Sequence, residues 1–77
     1  MDEIEARVLQ CFANVFPALP RERLPVLDQS EVAEWDSVMH VMLLSALSEE
    51  FSLEVDYEAA ATLRTFAEVV AYVREQG

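Results

Sequence analysis

Asp36, Ser37 and His40 are the side chains in this chain whose types and spacing bear most directly on chemistry. Ser37 opens a long apolar-rich stretch that reads as a helix, and at the first turn of a helix the unpaired amides and the dipole favour an attached phosphate. A phosphodiester on its hydroxyl is therefore at home there. Asp-Ser is a common dipeptide and serine is frequent in first turns, so the pair carries weight only with its surroundings. Ser37 and His40 lie three apart on one helix, within reach of each other as nucleophile and base. A hydrolase, however, draws its groups from separate elements beside an oxyanion hole, and no strand-turn-helix elbow is present to build one. His40 reads instead as a core histidine with a backbone partner. The acidic run from Asp28 through Ser30 and Val32 fails as a calcium loop, because Ala33 stands at the sixth position and Met39 at the twelfth. Cys11 is the lone cysteine, so it forms no intrachain disulfide; with a single histidine it makes no zinc set and reads as a buried helical thiol.

The elements that must position these groups are helical. Apolar side chains at Ile4, Val8, Phe12 and Val15 form one face of a first helix from Asp2 to about Phe16, with Asp2 and Glu5 as its capping box. Pro17 and Pro20 stop it. A long connection follows, with Leu24, Val26, Leu27, Val32 and Trp35 as apolar anchors and a short helical turn expected near Glu22. Asp36 is placed to cap a second helix, Ser37 to Phe51. Leu53-Glu54-Val55 is too short for a strand with a partner, so no sheet is expected. A short third helix runs from Asp56 to about Ala61, and Thr65-Phe66-Ala67-Glu68 reads as the capping box of a last helix whose face is Phe66, Val69, Val70 and Val73.

With 77 residues the chain has room for one domain, residues 1–77, and none for a second core or a deep catalytic cleft. Domains this short bury only about 60% of their unfolded surface, and without a disulfide or metal the stability must come from helix packing. The hydrophobic share of 53% suffices for a core. Fifteen acidic against five basic residues give a net charge of −10, which disfavours nucleic acid and anionic membrane surfaces and favours encounter with basic patches on other proteins. The acidic start lacks the pattern of a secretory signal, and no run reaches the roughly 18 apolar residues of a membrane span. A cytoplasmic, free-standing, monomeric protein is expected.

The second helix carries more apolar residues than a core face needs. At about 100° per residue, Leu43, Leu44, Leu47 and Phe51 share one arc with His40 near its start. Val38, Met42 and Glu49 fall opposite, with Met39 and Val41 on the flanks. Apolar residues left facing water there suggest a contact surface, for which methionine is suited by its flexibility.

Glu34-Trp35-Asp36-Ser37-Val38, followed by Met39 through Phe51, resembles the phosphopantetheine attachment region of acyl carrier proteins. The first helix, the long connection, Phe51, the Val55-Asp56 pair and the Phe66 to Val73 face fall where that family has them, so the resemblance covers nearly the whole chain. It implies an all-α four-helix bundle of acyl-carrier type, with a long first loop and a short third helix. It also implies that a phosphopantetheinyl transferase moves 4'-phosphopantetheine from coenzyme A onto Ser37, with Asp36 as the preceding motif residue. The arm's thiol would carry acyl or related intermediates as thioesters, loaded by a ligase or transferase and used by synthases or other acyl-processing enzymes. Carriage, not catalysis, would be its role. Val38, Met39, Val41, Met42 and Glu49 would form the docking surface. Val38 departs from the usual Leu and Trp35 from a frequent Gly. Met39 and Met42 replace polar residues usual in fatty-acid-synthesis carriers, and the Trp-Asp-Ser form looks more like carriers of polyketide, peptide or other specialised pathways. The alternative from another class is an unmodified acidic module that docks a basic partner helix on Val38, Met39 and Met42.

Overall fold

A computed structural model describes residues 1–76, and their fold is all-α. Its helices are α1 (Glu3–Val15), α2 (Ser37–Phe51), α3 (Tyr57–Ala60) and α4 (Phe66–Gln76), with two 3₁₀ turns, Arg21–Val26 and Gln29–Glu31, between α1 and α2. No helix among the described residues is long and apolar enough to cross a membrane.

The capping box on α1 forms: the Asp2 carboxylate accepts the Glu5 amide at 2.9 Å, and the Glu5 carboxylate accepts the Asp2 amide. Arg74 pairs with Asp2 as well, tying the first helix to the last. These bonds, led by the Glu5 amide, hold the Asp2 carboxyl below its ordinary value. Pro17 follows directly on the last bonded residue, Phe16, whose amide reaches the Phe12 carbonyl at 2.8 Å. At the other end of the chain the expected box is only half built. Thr65 Oγ1 accepts the Glu68 amide at 3.0 Å, but the Glu68 carboxylate turns to the amide of Arg64, not to that of Thr65.

The residues on either side of Thr65 are held by a neighbour, which sets the backbone that the Glu68 carboxylate meets. The Gln29 amide donates to the Arg64 carbonyl at 2.7 Å and the Phe66 amide to the Leu27 carbonyl at 3.1 Å, an antiparallel bridge centred on Asp28 and Thr65. No strand forms among the described residues, as expected, yet this two-bond clasp fixes the long connection to the start of α4.

Leu24, Leu27, Val32 and Trp35 anchor the connection as expected, all buried, but Val26 does not: it is 82% exposed. The 3₁₀ geometry is the reason. At three residues per turn, Leu24 and Leu27 fall on one side, and Val26 is carried to the other.

The core centres on Phe12. Its ring lies 5.4 Å from Trp35 in an edge-on arrangement, 5.2 Å from Phe66 and 6.2 Å from Phe16, so aromatic residues from α1, the connection and α4 meet at one point. The predicted faces supply the rest: Val8 from α1, Leu43, Leu44 and Leu47 from α2, and Phe66, Val69, Val70 and Val73 from α4 are buried. Phe51, expected in the core arc, is only half-buried, with the Arg7 guanidinium 4.4 Å above its ring. The same arginine bonds the Glu50 carboxylate and carbonyl, clamping α1 to the far end of α2.

Helix α2 ends on Ser52, which takes the left-handed conformation (φ 51°, ψ 45°). It is the one non-glycine residue with positive φ among those described.

Candidate functional site

Trp35 is the root of the site. It is 2% exposed, wedged between Phe12 and Phe16, and its carbonyl accepts the side-chain amide of Gln29 at 3.1 Å. The chain leaves this buried anchor and turns outward, which puts Asp36 and Ser37 in solvent. Asp36 is extended and its carboxylate accepts the Met39 amide at 2.9 Å, so the helix starts at Ser37.

Ser37 is thus the first residue of a 15-residue helix, with its side chain exposed. Among the described residues no protein group bonds its hydroxyl. The amides of Ser37 and Val38 have no acceptor within the helix, since intrahelical bonding begins with His40 to the Asp36 carbonyl. A nucleophilic or esterified oxygen at Ser37 therefore sits at an open, amide-rich tip.

His40 lies one turn on and is buried. The Trp35 indole N–H donates to its Nδ1 at 3.0 Å, and its Nε2 lies 2.9 Å from the Ala60 carbonyl. An indole nitrogen can only donate, so Nδ1 accepts and the hydrogen is on Nε2. Both ring nitrogens are committed away from Ser37. The expected backbone partner is present, and an indole partner is added to it.

Two clefts flank this tip. One, about 220 Å³, lies between α2 and α3 and is lined by Ser37 and His40 together with Gln29, Val41, Leu44, Tyr57 and Ala61. The other, about 280 Å³ and almost wholly apolar, is lined by Met39 and Glu34 with residues 15–19 at the end of α1.

The outer face of α2 is largely as expected. Val38, Val41 and Met42 are exposed, at 68%, 52% and 53%, and Glu49 is exposed two turns further on. Met39 differs: it is half-buried and packs against the core. Tyr57, 47% exposed, joins the face from α3 across the first cleft. Neither Tyr57 nor Gln29 is singled out by sequence reasoning. Neither had a local signal: Tyr57 opens a helix too short to show a period, and the role of Gln29 depends on a contact across the connection.

Electrostatically the region is one-signed. Between Arg23 and Arg64 the chain carries Asp28, Glu31, Glu34, Asp36, Glu49, Glu50, Glu54, Asp56 and Glu58 and no Lys or Arg. Among these, Asp28 is held below the ordinary carboxylate value, chiefly by the Ser30 hydroxyl and then its amide. Cys11 lies apart from the site. It is buried beneath α2 with its thiol toward the Ala46 carbonyl, and burial, helped by nearby Glu50, pushes its pKa up to about 11. No group of three His, Cys, Asp or Glu side chains among the described residues is placed to hold a metal ion.

Comparison of the chain with protein-family models, with curated proteins and with solved structures finds no match.

Proposed function

We propose that this chain is an acyl carrier, a four-helix bundle of acyl-carrier type with a long first loop and a short third helix, bearing 4'-phosphopantetheine on Ser37. The observation that carries the reading is a free, exposed serine hydroxyl at the first position of the central helix, beside an apolar outer face and within an acidic field. The residues fit the group. The open Ser37 and Val38 amides and the helix dipole suit a phosphodiester, and a cleft lined by Ser37 itself lies alongside. In the modification Ser37 Oγ attacks the phosphorus of coenzyme A that bears the pantetheine; its proton passes to the transferase and adenosine 3',5'-bisphosphate leaves. When bound, the group supplies the thiol that carries an acyl or related intermediate as a thioester.

The rest of the molecule serves that oxygen. Asp36 caps and aims the tip, and Trp35 roots it in the core. Val38, Val41 and Met42, with Met39 at their edge and Glu49 beyond, form the surface on which a transferase, a loading ligase or an acyl-processing enzyme docks, and the surrounding carboxylates select partners with basic faces. Movement of α3 away from α2 widens the cleft between them for an apolar cargo. The work is carriage, with chemistry left to the partners, and Met39 and Met42 together with the Trp35-Asp36-Ser37 form favour a specialised assembly pathway over housekeeping fatty-acid synthesis.

The test is mass spectrometry after incubation with a broad-specificity phosphopantetheinyl transferase and coenzyme A. A gain of one phosphopantetheine on the native chain and none on Ser37→Ala is expected; no gain on the native chain, or an equal gain on the variant, refutes the reading. An unmodified docking module would instead bind its partners equally well with alanine at position 37.

A further inference from the structure

Resting on the attachment of an acyl-bearing arm at Ser37, we infer that Trp35, His40 and Gln29 form a mechanical link that reports the filling of the α2–α3 cleft to the attachment tip. Two residues lining that cleft, His40 and Gln29, both hydrogen-bond the same residue, Trp35, one through its indole and the other through its carbonyl. Trp35 in turn directly precedes Asp36 and Ser37. Whatever displaces the cleft's walls therefore pulls on the root of the tip along two paths.

The movable wall is α3. With only four residues it cannot hold itself as a helix. It is fixed by the Asp56 cap, by the bond from the Asp56 amide to the Tyr72 hydroxyl, by burial of Ala60, and by His40 Nε2 on the Ala60 carbonyl. An apolar chain entering between Val41, Leu44, Tyr57 and Ala61 must push α3 outward and stretch that last bond. Because the imidazole is rigid, a rotation that follows Ala60 with Nε2 also swings Nδ1 away from the indole. The two bonds of His40 are thus geometrically coupled. Trp35 cannot absorb the change passively, since its ring is packed against Phe12 and Phe16 and has a restricted choice of positions. Filled and empty carriers then differ at Asp36 and Ser37, where partner enzymes approach, so that the state of the cargo is legible from outside the cleft.

The test uses the whole, isotope-labelled protein with its arm loaded by either an acetyl or an octanoyl group. Trp35 is the sole tryptophan, so its indole N–H gives one assignable signal. In the octanoyl form the Tyr57 and Ala61 amide signals shift relative to the acetyl form, and the Trp35 indole signal shifts with them and exchanges with solvent on the order of tenfold faster, the loss of about one net hydrogen bond. His40→Gln, which supplies both an acceptor for the indole and a donor for Ala60, keeps the response; His40→Leu abolishes it at Trp35 while leaving it at Tyr57. Gln29→Ala, which removes one polar contact without opening the core, weakens it and serves if His40→Leu fails to fold. An indole signal unmoved while Tyr57 and Ala61 shift overturns the link and leaves the carrier reading intact, as does a cleft that does not respond to octanoyl at all. A chain that gains no arm by mass overturns both.

Discussion

Replacing Asp36 separates its two roles, as helix cap and as one charge of an acidic surface. Asp36→Ala removes the acceptor that holds the Met39 amide at 2.9 Å and leaves that donor to water. The cost of such a loss is about 1 kcal/mol. A domain of this size is stable by roughly 5 kcal/mol, and each kilocalorie moves its melting temperature by about 4–8 °C. Asp36→Asn keeps an oxygen in the same place and removes only the charge. In a body with a net charge of −10 that removal relieves repulsion but gives up the carboxylate's attraction to the α2 dipole, and the two nearly offset each other. Thermal unfolding followed by circular dichroism should therefore place Asp36→Asn near the native chain and Asp36→Ala about 4–8 °C lower. Phosphopantetheine transfer measured on both adds the second axis: with the tip held, a deficit in Asp36→Asn reports the charge alone. If both variants melt together well below the native chain, the cap argument is wrong. If neither differs from it, the α2 tip is held by something other than this carboxylate.

The remaining expectations concern the fold as a whole. Raising ionic strength from about 10 mM to 150 mM, or adding magnesium, should raise the melting temperature by screening the acidic stretch between Arg23 and Arg64, and flat melting curves would contradict this. Ser52→Gly relieves a left-handed residue and should stabilise the protein by about 0.5–1 kcal/mol in urea unfolding; a loss of stability would show that Ser52 is not strained there. Asp2 and Asp28 titrate below their ordinary value of 3.8, so their contribution is complete above that value and is lost as pH falls through the lowered folded values. Acid unfolding followed by circular dichroism should be shallower for the double variant Asp2→Asn, Asp28→Asn, and an unchanged slope would remove these two groups from the account.

What could be read from the residues alone was whatever is local or periodic. The bounds of α2, its Asp36 cap, the α1 capping box and the α4 face follow from spacings of three and four residues and from side chains that bond their own neighbours. The connection was harder because it is held by groups distant in sequence. Val26 was misplaced because an apolar residue in a 3₁₀ turn obeys a period of three that a short stretch does not reveal. The half-formed Thr65 box reflects the clasp to Leu27 and Gln29, which nothing near Thr65 announces. At the site, the exposure of Val38 and Met42 was legible from helix geometry, whereas the Trp35–His40–Ala60 chain joins three segments and emerged only once they were brought together.

The clasp has a consequence for how such a chain is assembled. Leu27 bonds Phe66 and Gln29 bonds Arg64, so the stretch between them, which contains Ser37, both helices that frame the cleft and most of the negative charge, leaves and rejoins the remainder at a single doorway. Its ends are pinned together at this point while its inner face packs into the core shared with α1 and α4. Exchanging residues 28–65 between two chains of this design would keep the doorway's backbone bonds. The segment also brings Trp35, Leu43, Leu44 and Leu47 into the core that holds Phe12, so it transfers one chain's partner preference to another only when those inward residues travel unchanged to a matching α1 and α4.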